Sequence, residues 1–330
     1  MKPCIVGISG PILLPEESTL LRAHVPAGVI LFARNIENPA QLSALMRDLR
    51  AVLPADAVFM VDQEGGRVAR LKSPHWRAHP PARAIGALSA PAGLRAAWLT
   101  GALIGLQCRA AGFSVAAAPV LDVAAADGHD VIGDRSFGAD PASVAALGGE
   151  MARGLLAAGV QPVGKHAPGH GRARADSHLE LPVLADVTPD DLHPFRENAW
   201  LPWMMTAHIR YTARDMLNPA TQSPAIVAGI IRAAAAAGIG FGGVLTTDDL
   251  AMCALAGTPG ERAVRALAAG CDVALHCSGV LLESADVLAA VPEIAPAALA
   301  RLRAARQMAT DAVHSLDEAA LAAERDALLT

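Results

Sequence analysis

Mostly apolar runs of four or five residues recur along the chain: Cys4–Ile8, Val29–Phe32, Val58–Val61, Ser114–Ala118, Val160–Val163, Trp203–Thr206, Gly243–Thr247 and Val273–His276. Each is bounded by glycine or polar residues, and none alternates cleanly between apolar and polar. Such runs predict strands buried on both faces, as in a parallel sheet covered by helices. The stretches between them have a different period. After Asn38, Leu42, Leu45, Met46 and Leu49 fall at i, i+3, i+4 and i+7, the stripe of a helix packed on a sheet. Asn38-Pro39, Asp140-Pro141, Thr188-Pro189, Ser223-Pro224 and Thr258-Pro259 each set a capping residue before a proline, which suits the first helical position.

Eight strands alternating with helices, without a Gly/Ser linker or a repeat of about 20–50 residues, predict one (β/α)8 barrel spanning residues 1–330. A chain of 330 residues is compatible with that architecture. A doubly wound open sheet is the alternative. Its dinucleotide-binding form needs G-x-G-x-x-G after the first strand, and Gly7-Ile8-Ser9-Gly10 is not that motif. No nicotinamide or flavin cofactor is therefore expected. From about residue 295 the composition, rich in Ala, Leu, Arg and Glu, predicts C-terminal helices against the barrel wall.

Composition narrows the partners. The chain is 53% hydrophobic but 3% aromatic, so Ala, Val, Leu and Ile must fill its core. A net charge of −5 without a Lys/Arg block argues against nucleic acid or an anionic membrane and favours a small neutral ligand. No apolar stretch reaches the roughly 20 residues of a membrane span, and the first residues lack the apolar core of a secretory signal. The five cysteines, an odd number without a C-x-x-C pair, read as buried free thiols. A cytoplasmic, monomeric protein is expected.

A barrel places its catalytic residues where strands end and loops begin. Asp62, Lys165 with His166, His208, and Asp248 with Asp249 each follow a predicted strand, so four strand ends converge on one mouth. The run from Gly164 through Lys165, His166, Pro168, Gly169 and His170 to Asp176 and His178 is the densest in ionisable groups. Its glycines and proline predict an excursion built from turns. His166 and His170 are separated by Pro168-Gly169 and cannot share a helix face as zinc ligands do, so no metal is expected.

Together, Val61-Asp62-Gln63-Glu64-Gly65-Gly66-Arg67-Val68, Ala118-Pro119-Val120-Leu121-Asp122-Val123, Gly133-Asp134-Arg135-Ser136-Phe137, Lys165-His166-Ala167-Pro168-Gly169-His170-Gly171, Ala175-Asp176-Ser177-His178 and Thr247-Asp248-Asp249-Leu250 resemble a known set. It is that of the NagZ-type β-N-acetylglucosaminidases of glycoside hydrolase family 3, in the family's order. The resemblance implies removal of a terminal non-reducing β-linked N-acetylglucosamine, with retention, from peptidoglycan-derived muropeptides during cell wall recycling. It implies Asp248 as nucleophile and His178 as acid/base with Asp176 holding its ring. Asp62, Arg70, Arg135, Lys165 and His166 would bind the sugar, and Asp249 would orient a donor or cap the following turn. A histidine suits the proton role because its ordinary pKa of about 6.5 lies near working pH. His208 is read as a residue behind these.

Two positions depart from the family: Ala167 stands where an aromatic is usual, and Gly7 where the first strand carries an acid. Both bear on loop packing and substrate preference. A phosphorylase using the same covalent intermediate and a non-catalytic sugar-binding protein are the alternative functions. The latter would have no need of both Asp248 and the Asp176/His178 pair.

Overall fold

In the computed structural model, which describes residues 1–177, 179–234 and 238–330, all eight apolar runs are strands of one closed barrel. They are β1 (Lys2–Gly7), β2 (Pro26–Leu31), β3 (Val58–Val61), β4 (Val115–Ala116), β5 (Gln161–Ala167), β6 (Trp203–Thr206), β7 (Val244–Asp249) and β8 (Val273–His276). Every neighbouring pair is parallel and the ring closes between β8 and β1, with Cys4 opposite Ala274 and Val6 opposite His276. Closure excludes the open doubly wound sheet.

Strand alternation sorts the apolar residues into two cores. Ile5, Ile30, Met60, Val115, Val163, Met205, Val244 and Leu275 fill the lumen. Their neighbours Val6, Leu31, Val61, Ala116, Met204, Leu245 and Ala274 face the helical layer. Trp203, fully buried among the lumen residues, donates its Nε1 hydrogen to Gln161 Oε1 at 2.8 Å, which spares the interior an unpaired donor.

The longer helices are α1 (Pro15–Ala23), α2 (Pro39–Arg50), α3 (Ala90–Ala110), α4 (Pro141–Ala157), α5 (Pro189–Glu197), α6 (Pro259–Ala269), α7 (Leu281–Ala290), α8 (Pro296–Asp311) and α9 (Glu318–Leu329). All five proline-marked starts form as expected. Asn38, Asp140, Thr188, Ser223 and Thr258 each accept a bond from the backbone three residues on. The stripe of α2 buries Leu42, Leu45, Met46 and Leu49. No helix among the described residues is long and apolar enough to cross a membrane.

The C-terminal helices depart from expectation. Only α9 lies on the wall, against α3; α8 turns under the barrel, where Leu302 and Ala305 join the lumen core. Wall and floor both demand an apolar stripe, so periodicity cannot distinguish them. Helices α3 and α4 meet backbone to backbone: a Cβ on Gly101 would sit 2.0 Å from Met151 O, and one on Gly154 2.1 Å from Trp98 O. On a free helix Gly→Ala gains about 1 kcal/mol. At this crossing we expect Gly154→Ala to lose about 1–3 kcal/mol from overpacking, read as a lower urea midpoint with unchanged slope.

Candidate active site

The β3 strand ends at Val61, and the next residues form a short hairpin, Gln63–Gly65 against Val68–Ala69. Gln63 is fully buried and staples it: Oε1 accepts from the amides of Arg70 (2.8 Å) and Leu71 (3.0 Å), while Nε2 donates to Leu71 O. Asp62, Glu64 and Arg70 are thereby set on one side of the barrel mouth. Across from them, β5 runs further than its apolar pattern suggested. Lys165 and His166 lie within the strand, which pairs with β6 as far as Ala167. The turn-rich excursion begins only after them, at Pro168. Gly164 suggested an early break because it leaves a gap in the apolar pattern. Its Cα instead packs where a Cβ would meet Leu121 and Leu201 side chains at 2.8 Å.

Lys165 is the hub. Its Nζ lies 3.1 Å from Asp62 Oδ1 and 2.6 Å from Glu64 Oε1, with only 3% of the side chain exposed. Arg135 closes on Glu64 with two 2.8 Å bonds, from Nε and Nη2, and Arg70 Nη2 lies 3.0 Å from Asp62 Oδ2. Two carboxylates thus hold three cations. Burial pushes both acids up, but the cations outweigh it: Lys165 and Arg70 hold Asp62 below its ordinary value, and Arg135 and Lys165 bring Glu64 down to about 2. Burial lowers Lys165, yet Asp62 and Glu64 reverse that and raise it. The Arg135 fork, expected to face a sugar, is spent on Glu64; each Nη keeps a second hydrogen for a ligand. Glu64 was visible in the motif as a charged neighbour of Asp62. Its partner lies 71 residues away, so nothing local reveals its role.

Asp122 is a second residue whose part was not anticipated. It is fully buried and accepts from the amides of His166 (3.2 Å) and His170 (2.6 Å) and from His166 Nδ1 (2.7 Å). Burial pushes this carboxyl up, but the His166 imidazole and these donors bring it below its ordinary value. With Nδ1 spent on Asp122, Nε2 is the His166 nitrogen left for a ligand.

Asp248, near the end of β7, is 8% exposed, and its Oδ1 accepts from the Asp249 amide at 2.8 Å. Burial pushes it up; His166, His208, the Asp249 amide and Lys165 outweigh that and lower it. It is therefore ionised at neutral pH. Asp249 caps the turn that follows, accepting at Oδ1 from Ala251 N and also from Cys277 N, both at 2.9 Å. His208 lies behind it, donating from Nε2 to Asp249 O at 3.0 Å.

These groups enclose a cavity of about 150 Å³ whose lining includes Asp62, Arg70, Arg135, Lys165, His166 and Asp248. Ser177 also lines it, bonded to His170 at 3.2 Å. Asp176 precedes it, partly buried, its carbonyl accepting from Leu179 N and Glu180 N. His178 lies outside the described residues. Among the buried polar atoms that meet no protein partner are Arg70 Nε and His170 Nδ1. Burial lowers His170 to about 4, so it is neutral at working pH.

The glycosyl hydrolase family 3 N-terminal domain matches residues 14–308. The chain belongs to glycosyl hydrolase family 3. Among relatives in this family, it is 39% identical to a beta-hexosaminidase of Bordetella avium, over 91% of this chain and 87% of the relative. It is 40% identical to a beta-hexosaminidase of Thiobacillus denitrificans, over 92% and 85%. The crystal structure of NagZ from Neisseria gonorrhoeae in complex with N-trifluoroacetyl-D-glucosamine superposes with a TM-score of 0.86 at 30% identity, covering 100% and 98%. The pocket described above is thus the mouth of a family 3 glycoside hydrolase barrel.

Removing one acid from the hub should show its weight. Glu64→Gln leaves Lys165 and Arg135 with one carboxylate fewer in a buried site, and we expect a loss of about 3–5 kcal/mol at pH 7. Because the folded pKa is depressed, this contribution is present above about 4.5 and fades as pH falls through about 2. Urea unfolding of the two proteins should therefore differ most at neutral pH and converge in acid.

Proposed function

We propose that this chain, acting as one barrel and as a monomer, is a retaining exo-β-N-acetylglucosaminidase. It takes terminal non-reducing β-linked N-acetylglucosamine from peptidoglycan-derived muropeptides in the cytoplasm. The observation that carries the reading is Asp248, a buried carboxylate held below its ordinary pKa, on the wall of a cavity that also presents Asp62, Lys165 and His166. The beta-hexosaminidase names of the relatives and the sugar analogue bound by the gonococcal NagZ support the substrate class.

In this mechanism Asp62, Arg70, Arg135, Lys165 and His166 hold the sugar hydroxyls through charge-assisted bonds. Asp248 attacks the anomeric carbon as the leaving oxygen takes a proton from His178, whose ring Asp176 orients. Neutral His178 then removes a proton from water, which attacks the glycosyl ester and releases Asp248. A depressed pKa on Asp248 keeps the nucleophile ionised, and a histidine is chemically suited to both proton steps because imidazole ordinarily titrates at about 6.5.

Hydrolysis of aryl β-N-acetylglucosaminides, with the product anomer followed by NMR, tests the scheme. Wild type should release the β-anomer first, and Asp248→Asn should lose about 10³-fold or more in kcat. His178→Ala should lose roughly 10²- to 10⁴-fold in kcat/KM on a poor leaving group and little on an activated phenol. Equal damage on both substrates removes His178 from the proton role. N-acetylglucosamine 1-phosphate formed when phosphate is added would instead make the enzyme a phosphorylase.

A further inference from the structure

We propose that Arg325, on the last helix, is a positioning residue for the sugar-binding hairpin. The inference rests on the reading of the cavity as the sugar site. Helix α9 is held to α3 by Arg95 and Glu324, paired at 2.6 and 2.7 Å. Arg325 lies one turn from the buried Ala322 on the inward face of the helix, its side chain 4% exposed. Its Nη1 lies 2.9 Å from His79 Nδ1, a contact between residues 246 apart in the chain. His79 Nε2 lies 2.7 Å from Gln107 Oε1, and Gln107 Nε2 donates to Arg77 O at 3.1 Å. An amide oxygen only accepts, so Nε2 carries the ring proton and Nδ1 accepts from Arg325.

The imidazole is thus fixed at both nitrogens, and its backbone carries that order to the mouth. His79 O accepts from Gly66 N at 2.9 Å. Gly65 and Gly66, both at positive φ, form the hairpin turn. They rest so closely on the chain after His79 that a Cβ would lie 2.4 Å from Pro80 O and 2.8 Å from Pro81 Cβ, respectively. Glu64 precedes that turn and Arg70 follows it. A shift of His79 therefore moves the turn, and with it the acid that holds Lys165 and Arg135. Rigid elements in contact, rather than any direct bond, couple the helix to the pocket.

The test compares wild type with Arg325→Met, which keeps the apolar stem and loses the donor, and with Arg325→Lys, which restores a cation. Calorimetric binding of N-acetylglucosamine and aryl-glycoside kinetics are the readouts. Arg325→Met should weaken sugar binding and raise KM roughly 3- to 10-fold with kcat changed less than about 2-fold, and Arg325→Lys should recover most of it. Combined with Gly66→Ala, which displaces the same turn, it should add little further. Unchanged sugar affinity alongside a lowered melting temperature would make Arg325 a fastener of the helix only and overturn the proposal. Wild type that binds the sugar without turning over any glycoside would count against the enzymatic reading instead, and the affinity ratio would still decide the role of Arg325.

Discussion

A lysine ammonium buried between two carboxylates is the contact on which the mouth of this barrel depends. Lys165 cannot be dehydrated without compensation, and neither can Asp62 or Glu64. They stand together because each offsets the cost of the others. Arg70 and Arg135 extend the arrangement along the lining of the cavity. The geometry then follows from charge: the hairpin after β3 must approach the end of β5 to within a salt bridge, and the segment bearing Arg135 must reach Glu64. A polar ring entering such a place meets hydrogen-bond donors and acceptors already oriented, so little reorganisation accompanies binding.

Asp122 does for the backbone what Lys165 does for the side chains. One carboxylate takes two amides and an imidazole from the stretch where β5 gives way to a proline- and glycine-rich path. There the register of β5 against β6 shifts and the strand ends, and a buried acid takes the amides of His166 and His170. The charges of the site thus stabilise its shape, and Asp248 gains its low pKa from the same assembly, through His166 and Lys165.

Much of this was legible in the residues themselves. Strands buried on both faces leave unbroken apolar runs, and each of the eight formed. A capping side chain followed by proline is a local instruction, and all five such starts were obeyed. The placement of Asp62, Lys165, His166 and Asp248 around one cavity was visible because the barrel dictates where strand ends go. What stayed hidden was long-range pairing. Glu64 reads as any solvated acid until Arg135 arrives, and Arg325 as one more surface arginine until His79 is placed beside it. The length of β5 was misjudged because Gly164 resembles a break, although the lumen-facing order of the barrel continues through it. Helix α8 carries an ordinary apolar stripe, and only the closed ring shows that this stripe faces upward into the tube.

That last placement makes the barrel a cul-de-sac. Leu302 and Ala305 stop its lower end, side chains pack the bore above them, and the uppermost of these, Ile30, Met205 and Leu275, form the bed of the cavity. Among the described residues the axis below the cavity is filled by side chains. A ligand therefore reaches that bed from the loop side of the barrel, and the packed bore serves as its foundation rather than as a passage.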